Sequence, residues 1–156
     1  MQIQELPRGI YILLLLNANK GEAIQDRTRL EKLIFLVSMQ ILKKPGRSIT
    51  PKTYTFRANR FGPFSEEVYD DVETLSDLGL VRFDNTQRVL NITEKGRRLV
   101  DQLVMKNRIP HMLVEDIERI KQRYNNISLK KLLRYVYQNY DKYTHESEIR
   151  DEILGI

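Results

Sequence analysis

Between residues 61 and 96 the chain contains a helix, two short strands and the start of a second helix, and this order restricts the fold more than any other feature. An aromatic-Gly-Pro sequence opens the segment, and Ser65 is suited to be the N-cap of an amphipathic helix. The strands predicted at Leu80–Phe83 and Arg88–Ile92 flank a turn-forming sequence at 84–87. A helix followed by a tight hairpin predicts a winged helix-turn-helix, which usually presents its helix and wing to duplex DNA.

The remaining sequence predicts helices around this unit. The predicted elements are a helix at Pro7–Ala18, a helix at Asp26–Lys44, a strand within Ser48–Asn59, a helix that is capped by Thr93 and runs to about Met105, and two C-terminal helices, the second capped by Ser128. The class is therefore mainly α with a small antiparallel sheet (α+β). With 156 residues the chain suits one compact unit, in which residues 1–106 form a winged-helix domain and residues 107–156 a helical extension packed on it.

The helix predicted at Asp26–Lys44 is apolar around most of its circumference. Its apolar residues are Leu30, Leu33, Ile34, Phe35, Leu36, Val37, Met39, Ile41 and Leu42. A helix that is apolar on most sides is buried. Two interpretations follow: the helix is the central helix of the domain, or part of its width is the seam of a homodimer.

Composition restricts the partners and the location. The chain has 26 basic and 21 acidic residues, a net charge of +5, which favours an anionic partner such as nucleic acid. It has no cysteine, which excludes disulfides and thiolate metal sites and fits a reducing compartment. The apolar run Ile10–Leu16 is far shorter than the about 20 residues of a membrane span. We therefore expect a cytoplasmic protein that does not interact with membranes.

The sequence offers no catalytic constellation. His111 and His145 are the only histidines, and neither has a second ligand or catalytic partner at a diagnostic spacing. A Gly-rich phosphate loop and a nucleophile elbow are both absent. The acidic pairs at 66–67 and 70–71 could collect a hard cation, but a solvated helix face is the better interpretation. The sequence thus predicts a protein that is not an enzyme and has no catalytic residue, metal site or cofactor.

The helix that follows Ser65 has an acidic outer face. Residues 65–79 contain six acidic residues and no basic residue. The acidic residues are Glu66, Glu67, Asp70, Asp71, Glu73 and Asp77. Because the phosphates of DNA would repel these carboxylates, this helix is a poor reader of bases in the usual pose.

Two hypotheses explain such a charge distribution. In the first, double-stranded DNA is contacted around the acidic face, by basic residues of the preceding strand, of the wing and of the helix after the wing. These residues are Arg57, Arg60, Arg82, Arg88, Lys95, Arg97 and Arg98. In the second, the acidic helix docks a basic protein partner such as a toxin. Arginines that converge beside the wing would favour DNA, whereas arginines that neutralise the acidic helix would favour a protein partner.

Several stretches of the sequence resemble known families. Those stretches are Arg27–Leu36, Arg60–Tyr69 and Leu78–Val81. They are similar to the YwgA-like winged-helix proteins of bacteria and archaea. More distantly, their lysine-leucine-rich helix, aromatic-Gly-Pro turn and Glu-Val-Tyr helix resemble the Panacea domain, the SocA-type antitoxin module. Leu133–Thr144 resembles the C-terminal signature of the YwgA-like group, with Asp141 in place of the expected proline. The Panacea resemblance implies a function that depends largely on protein partners.

Pattern and resemblance together predict a non-enzymatic winged-helix DNA-binding regulator of transcription or antitoxin-like factor, which contacts DNA through the wing and the flanking arginines. The alternative is a protein-interaction module of the antitoxin or adaptor type, which docks a basic partner on the acidic helix 65–78.

Overall fold

The computed structural model of the chain describes residues 7–43, 53–59 and 62–140. The described elements are α1 (Gly9–Gly21), β1 (Ile24–Gln25), α2 (Arg27–Val37) with a π-helical turn (Ser38–Leu42), β2 (Arg57–Asn59), β3 (Gly62–Phe64), α3 (Glu66–Asp77), β4 (Val81–Asp84), β5 (Val89–Ile92), α4 (Glu94–Met105), α5 (His111–Tyr124) and α6 (Leu129–Asn139). This mainly helical content with small antiparallel sheets confirms the α+β prediction. None of the described helices is long and apolar enough to cross a membrane.

The strands form two antiparallel sheets. One has the strand order β1-β5-β4, with Ile24 opposite Leu90 and Val81 opposite Ile92. The other consists of β2 and β3 alone. Of the strand predicted within Ser48–Asn59, residues 48–52 lie outside the described residues, and regular pairing covers only β2. The larger sheet joins the segment between the first two helices to the hairpin that follows α3.

The hairpin between β4 and β5 forms as predicted. Its turn is fixed by Asp84, whose Oδ1 accepts hydrogen bonds from the backbone N–H groups of Thr86 and Gln87 at 2.8 and 3.1 Å. Such a side chain mimics a backbone turn, which is why aspartate is common at this position. The predicted turn at 84–87 is therefore confirmed.

The core is built around the two N-terminal helices. All residues from Ile10 to Leu16 and from Leu30 to Val37 are buried. α5 packs against α1, and α6 packs against α2. The chain's own elements thus bury the described part of α2, as the interpretation of a central helix requires, while the homodimer stays a prediction.

α5 also stabilises the end of α1. The helix is interrupted at Ala18, whose ψ is 158°, and is followed by Asn19 in the left-handed region at φ 53°. The ammonium of Lys121, fully buried in α5, donates hydrogen bonds to the carbonyl oxygens of Leu16 and Ala18 at 3.0 and 2.7 Å. Burial lowers the pKa of Lys121 to about 8. Because the last carbonyls of a helix lack partners within it, Lys121 acts as a C-terminal cap supplied by a distant segment.

All three predicted N-cap residues occupy the N-cap position of their helix, and two of them form the side-chain capping bond. Thr93 and Ser128 each accept, through the side-chain oxygen, a hydrogen bond of 3.1 Å from the backbone N–H three residues later. The side chain of Ser65 makes no such bond, and its hydroxyl has no partner among the described residues. Instead, the backbone N–H of Ser65 donates to Glu31 Oε2 at 3.1 Å. Ser65 is therefore the N-cap of α3 by position, and its backbone is bound by a carboxylate from α2 without a side-chain capping bond.

Candidate partner-binding surface

The acidic residues of α3 fall into two groups. Glu67 and Asp71 are partly buried and face the N-terminus of α1. Asp70, Glu73 and Asp77 are exposed, and none of them forms an ion pair with a residue of the described ranges. We call these three the exposed acidic set. The sixth acidic residue, Glu66, is also exposed but is paired with Arg57, so the exposed acidic set is the part of the acidic face that has no counter-charge among the described residues.

Arg8 binds both carboxylates of the inner group. Its Nε and Nη2 donate to the two carboxylate oxygens of Asp71 at 2.9 and 3.2 Å, and its Nη1 lies 2.5 Å from Glu67 Oε2. The hydrogen bond with Asp71 raises the pKa of Arg8. Bidentate arginine–carboxylate pairs are among the stronger charge-assisted hydrogen bonds. The sequence analysis missed Arg8, which lies 63 positions before Asp71.

The segment before β2 completes this cluster. The hydroxyl of Tyr54 donates to Asp71 Oδ2 at 2.7 Å, and both the N–H and the hydroxyl of Thr55 donate to Glu67 Oε1 at 2.8 Å. Burial alone raises the pKa of Glu67, but the bonds from Thr55 and the charge of Arg8 outweigh it and lower that pKa. Glu67 and Asp71 therefore connect α3 to α1 and to the segment before β2, which is a structural role.

Two of the arginines predicted for DNA are already paired with carboxylates. Arg57 Nη2 lies 3.1 Å from Glu66 Oε1, and both side chains are largely exposed. Arg88 Nη2 lies 3.4 Å from Asp26 Oδ2, at the start of α2. Exposed pairs of this kind contribute only about 0 to 1 kcal/mol to stability. Arg57 thus neutralises part of the acidic helix instead of extending a basic surface.

The other predicted basic residues are dispersed. Arg82 is exposed on β4, and Arg60 lies outside the described residues. Lys95 Nζ donates to the carbonyl oxygen of Leu78 at 2.8 Å, which places its charge at the C-terminus of α3. Arg97 lies against Gly21, while Arg98 is exposed on α4. Within the described ranges, the side chains of Arg82, Arg97 and Arg98 form neither an ion pair nor a hydrogen bond.

A buried ion pair, also missed by the sequence analysis, fixes the Gly-Pro turn before α3. Lys32 and Glu31 have side chains that are 1% and 2% exposed, with Lys32 Nζ 2.6 Å from Glu31 Oε1. Lys32 also donates to the carbonyl oxygen of Pro63 at 2.8 Å, and Glu31 accepts from the N–H of Ser65. Burial lowers the pKa of Lys32, and the charge of Glu31 opposes that shift. The signal in the sequence was two adjacent charges within the otherwise apolar stretch Leu30–Val37 of α2.

A polar cavity of about 230 Å³ opens beside this ion pair. It is lined by Thr28, Glu31, Lys32, Asn59, Gly62, Phe64 and Tyr69. Across the turn, Gly62 has φ of 92°, and an added Cβ would lie 2.8 Å from Tyr137 Cε1. In the part of the chain that the structure describes, no group of three or more histidine, cysteine, aspartate or glutamate side chains could hold a metal ion. The ion pair, through its hydrogen bonds to Pro63 and Ser65, thus positions the turn and with it the start of α3.

Comparison with known proteins gives one match. The model of the family described as "Antitoxin SocA-like, Panacea domain" matches residues 30–146, about three quarters of the chain. This confirms the resemblance to the Panacea domain, while the resemblance to the YwgA-like group stays a prediction. No curated protein and no solved structure matches the chain. The matched range contains the buried ion pair, the Gly-Pro turn and all of α3.

Proposed function

Because the chain belongs to the family of antitoxin SocA-like Panacea domains, we propose that it is a non-enzymatic, antitoxin-type protein that binds a basic protein partner through the exposed acidic set of α3. Residues 1–106 would form the partner-binding domain and residues 107–156 the extension that supports it. The family assignment supports an antitoxin-type activity. The choice of a protein partner rests on the charges of α3.

The observation that carries this proposal is the division of the acidic residues. Glu67 and Asp71 have internal partners, whereas Asp70, Glu73 and Asp77 are exposed without an ion pair among the described residues. Like charges three or four positions apart on a helix repel each other and destabilise it. A basic partner would neutralise these carboxylates and so remove the repulsion. The same negative charges would steer the partner to this surface. An acidic face of this kind repels DNA.

We expect that neutralising the exposed acidic set weakens partner binding. In the triple variant Asp70→Asn, Glu73→Gln, Asp77→Asn, capture of the partner from lysate of the source cells should fall by about tenfold or more, because the steering charges are lost. The captured protein is then produced alone and together with the chain. As an antitoxin target, it should inhibit growth alone, and the wild-type chain should restore growth while the triple variant should not.

A matched control removes the same charge elsewhere. Glu94→Gln, Asp101→Asn and Glu115→Gln change exposed residues of α4 and α5. This control variant should capture the partner and restore growth like the wild type. Equal loss in both triple variants, or equal retention in both, would contradict a specific role for α3.

A second candidate function is DNA binding by a winged helix. The strand order β1-β5-β4, with α2 and α3 preceding the β4–β5 hairpin, supports a winged-helix arrangement in which the hairpin is the wing. Arg82, exposed on β4, is the residue placed to reach a phosphate or the minor groove. In this proposal the acidic helix faces away from DNA and the contact is made by the wing alone.

We expect that any DNA binding depends on Arg82. Fluorescence anisotropy of a labelled mixed-sequence duplex, measured at several salt concentrations, should show weaker binding by the Arg82→Ala variant and a slope of log K against log salt that is smaller by about 1. Arg119→Ala removes an exposed arginine of α5, far from the hairpin in sequence, and should leave the slope unchanged. Absence of binding by the wild type at low salt would refute this second candidate.

A further inference from the structure

An open groove of about 570 Å³ lies between three helices next to the exposed acidic set. Its apolar lining comes from Ile10 and Leu13 of α1, Leu75 of α3, Leu78 at the C-cap of α3, and Leu99 and Leu103 of α4. Most of these side chains are buried or half-buried, whereas Leu78 is 53% exposed. An exposed leucine above an apolar floor is a typical anchor point for a partner, since covering it removes apolar surface from water.

The two walls of the groove carry opposite charges. Thr74 lines the groove, and Asp70 and Asp77 lie four and three positions from it, hence beside it on the surface of α3. On the other wall, Lys95 lies four positions before the groove residue Leu99. Lys106, at the C-cap of α4, lies three positions after the groove residue Leu103. Lys95 is bound to the carbonyl oxygen of Leu78. The groove is therefore apolar at its floor, acidic along α3 and basic along α4.

We propose that this groove receives the apolar face of a helical segment of the protein partner, whose lysines or arginines on one flank contact Asp70 and Asp77. This inference rests on the proposed function and adds to it where the partner is anchored. A floor between helices with polar walls suits the binding of an amphipathic helix. Apolar anchors supply most of the binding energy in such interfaces, and charges at the rim supply orientation and association rate. A nucleic acid does not fit, because the floor is apolar, the α3 wall is acidic, and the guanidinium of Arg8 in the lining is bound to Asp71 and Glu67.

The test uses a labelled peptide and the full chain. The peptide has about 15 residues, or about four helical turns, with leucines along one face, lysines on one flank and glutamines on the other. Fluorescence anisotropy should show binding at micromolar concentration that Leu78→Ser weakens by about tenfold or more. The double variant Asp70→Asn, Asp77→Asn should weaken it several-fold, and more at low salt. Met105→Ser removes an apolar side chain that is 82% exposed and outside the groove, and should change nothing.

Each other result overturns a defined part of the proposal. If Leu78→Ser has no effect while the aspartate variant weakens binding, the groove is not the anchor, but the proposed function stands. If only Leu78→Ser weakens binding, the basic partner is refuted, together with the role of the exposed acidic set. Lack of binding at about 1 mM peptide refutes the groove as a helix site. Self-association of the free chain that Leu78→Ser abolishes, measured by light scattering, would assign the groove to a second copy. Circular dichroism shows whether each variant is folded.

Discussion

Replacement of Lys32 by methionine should lower the free energy of unfolding by about 3 to 5 kcal/mol. The substitution leaves the carboxylate of Glu31 buried without a counter-charge and removes the donor to the carbonyl oxygen of Pro63. An unpaired buried charge is far more costly than the net benefit of the pair it came from. Urea unfolding followed by circular dichroism measures the loss. A change below about 1 kcal/mol would show that the ion pair does not stabilise the fold.

Two further variants distinguish the effect of removing the whole ion pair from the effect of leaving one buried charge unpaired. In the double variant Glu31→Leu, Lys32→Met both charges are removed, so we expect a smaller loss than for Lys32→Met alone, as seen when apolar residues replace buried ion pairs. Arg57→Met removes the exposed pair with Glu66 and the guanidinium that lies 5.4 Å from the centre of the Phe64 ring, and should cost about 0 to 2 kcal/mol. If the double variant loses as much stability as the single variants Glu31→Leu and Lys32→Met lose in sum, the two charges do not interact.

The substitution Gly96→Ala should destabilise the chain by about 2 kcal/mol or more, although alanine is the better helix former. Gly96 lies in the first turn of α4, where the helix packs closely against Leu80 and Ile92. A Cβ there would overlap the carbonyl oxygen of Leu80 and lie 2.8 Å from Ile92 Cγ1. Because the overlapping atom belongs to the backbone of the loop before β4, relief requires the helix to move away from the sheet. The shift of the urea midpoint measures the cost.

Gly9 provides the matched control for this prediction. It also lies in the first turn of a helix, but a Cβ there would contact only side-chain atoms of Leu75, at 3.7 to 3.9 Å. Gly9→Ala should therefore leave stability unchanged or raise it by about 0.4 to 1 kcal/mol, through the lower entropy of the unfolded chain. Similar losses at both glycines would contradict the role assigned to the close approach at Gly96.

Local sequence signals predicted much of the fold. The caps at Thr93 and Ser128 and the turn at Asp84 depend on atoms within three residues, so residue type and spacing are sufficient to recognise them. Phe64 and Tyr69, whose ring centroids are 5.9 Å apart, stand at the N′ and N4 positions of α3, which is the spacing of a hydrophobic staple. The π-helical turn after α2 was not predicted, because it differs from an α-helix by a single hydrogen-bond shift.

Tertiary contacts explain what could not be predicted. The acidic face of α3 was evident from composition, but its division into structural and exposed residues depends on Arg8, which lies 59 and 63 positions from its two partners. The same limit applies at Ser65, whose N–H is bound by Glu31 from 34 positions away. Pairings at such distances follow from how the helices pack, and one sequence does not specify which charges meet.

Because Lys121 caps α1, the end of α1 cannot be completed during synthesis until α5 has been made. The bonded atoms belong to residues 105 and 103 positions apart, so α1 leaves the ribosome long before the residue that completes it. At about 5 to 20 residues per second, translation of the intervening segment takes about 5 to 20 s. During that interval the leucine-rich helix has no α5 to cover it, which makes the nascent chain a target for chaperones and proteases. Translation must pass Lys121 before the cap of α1 can form, so interrupted synthesis produces unstable fragments.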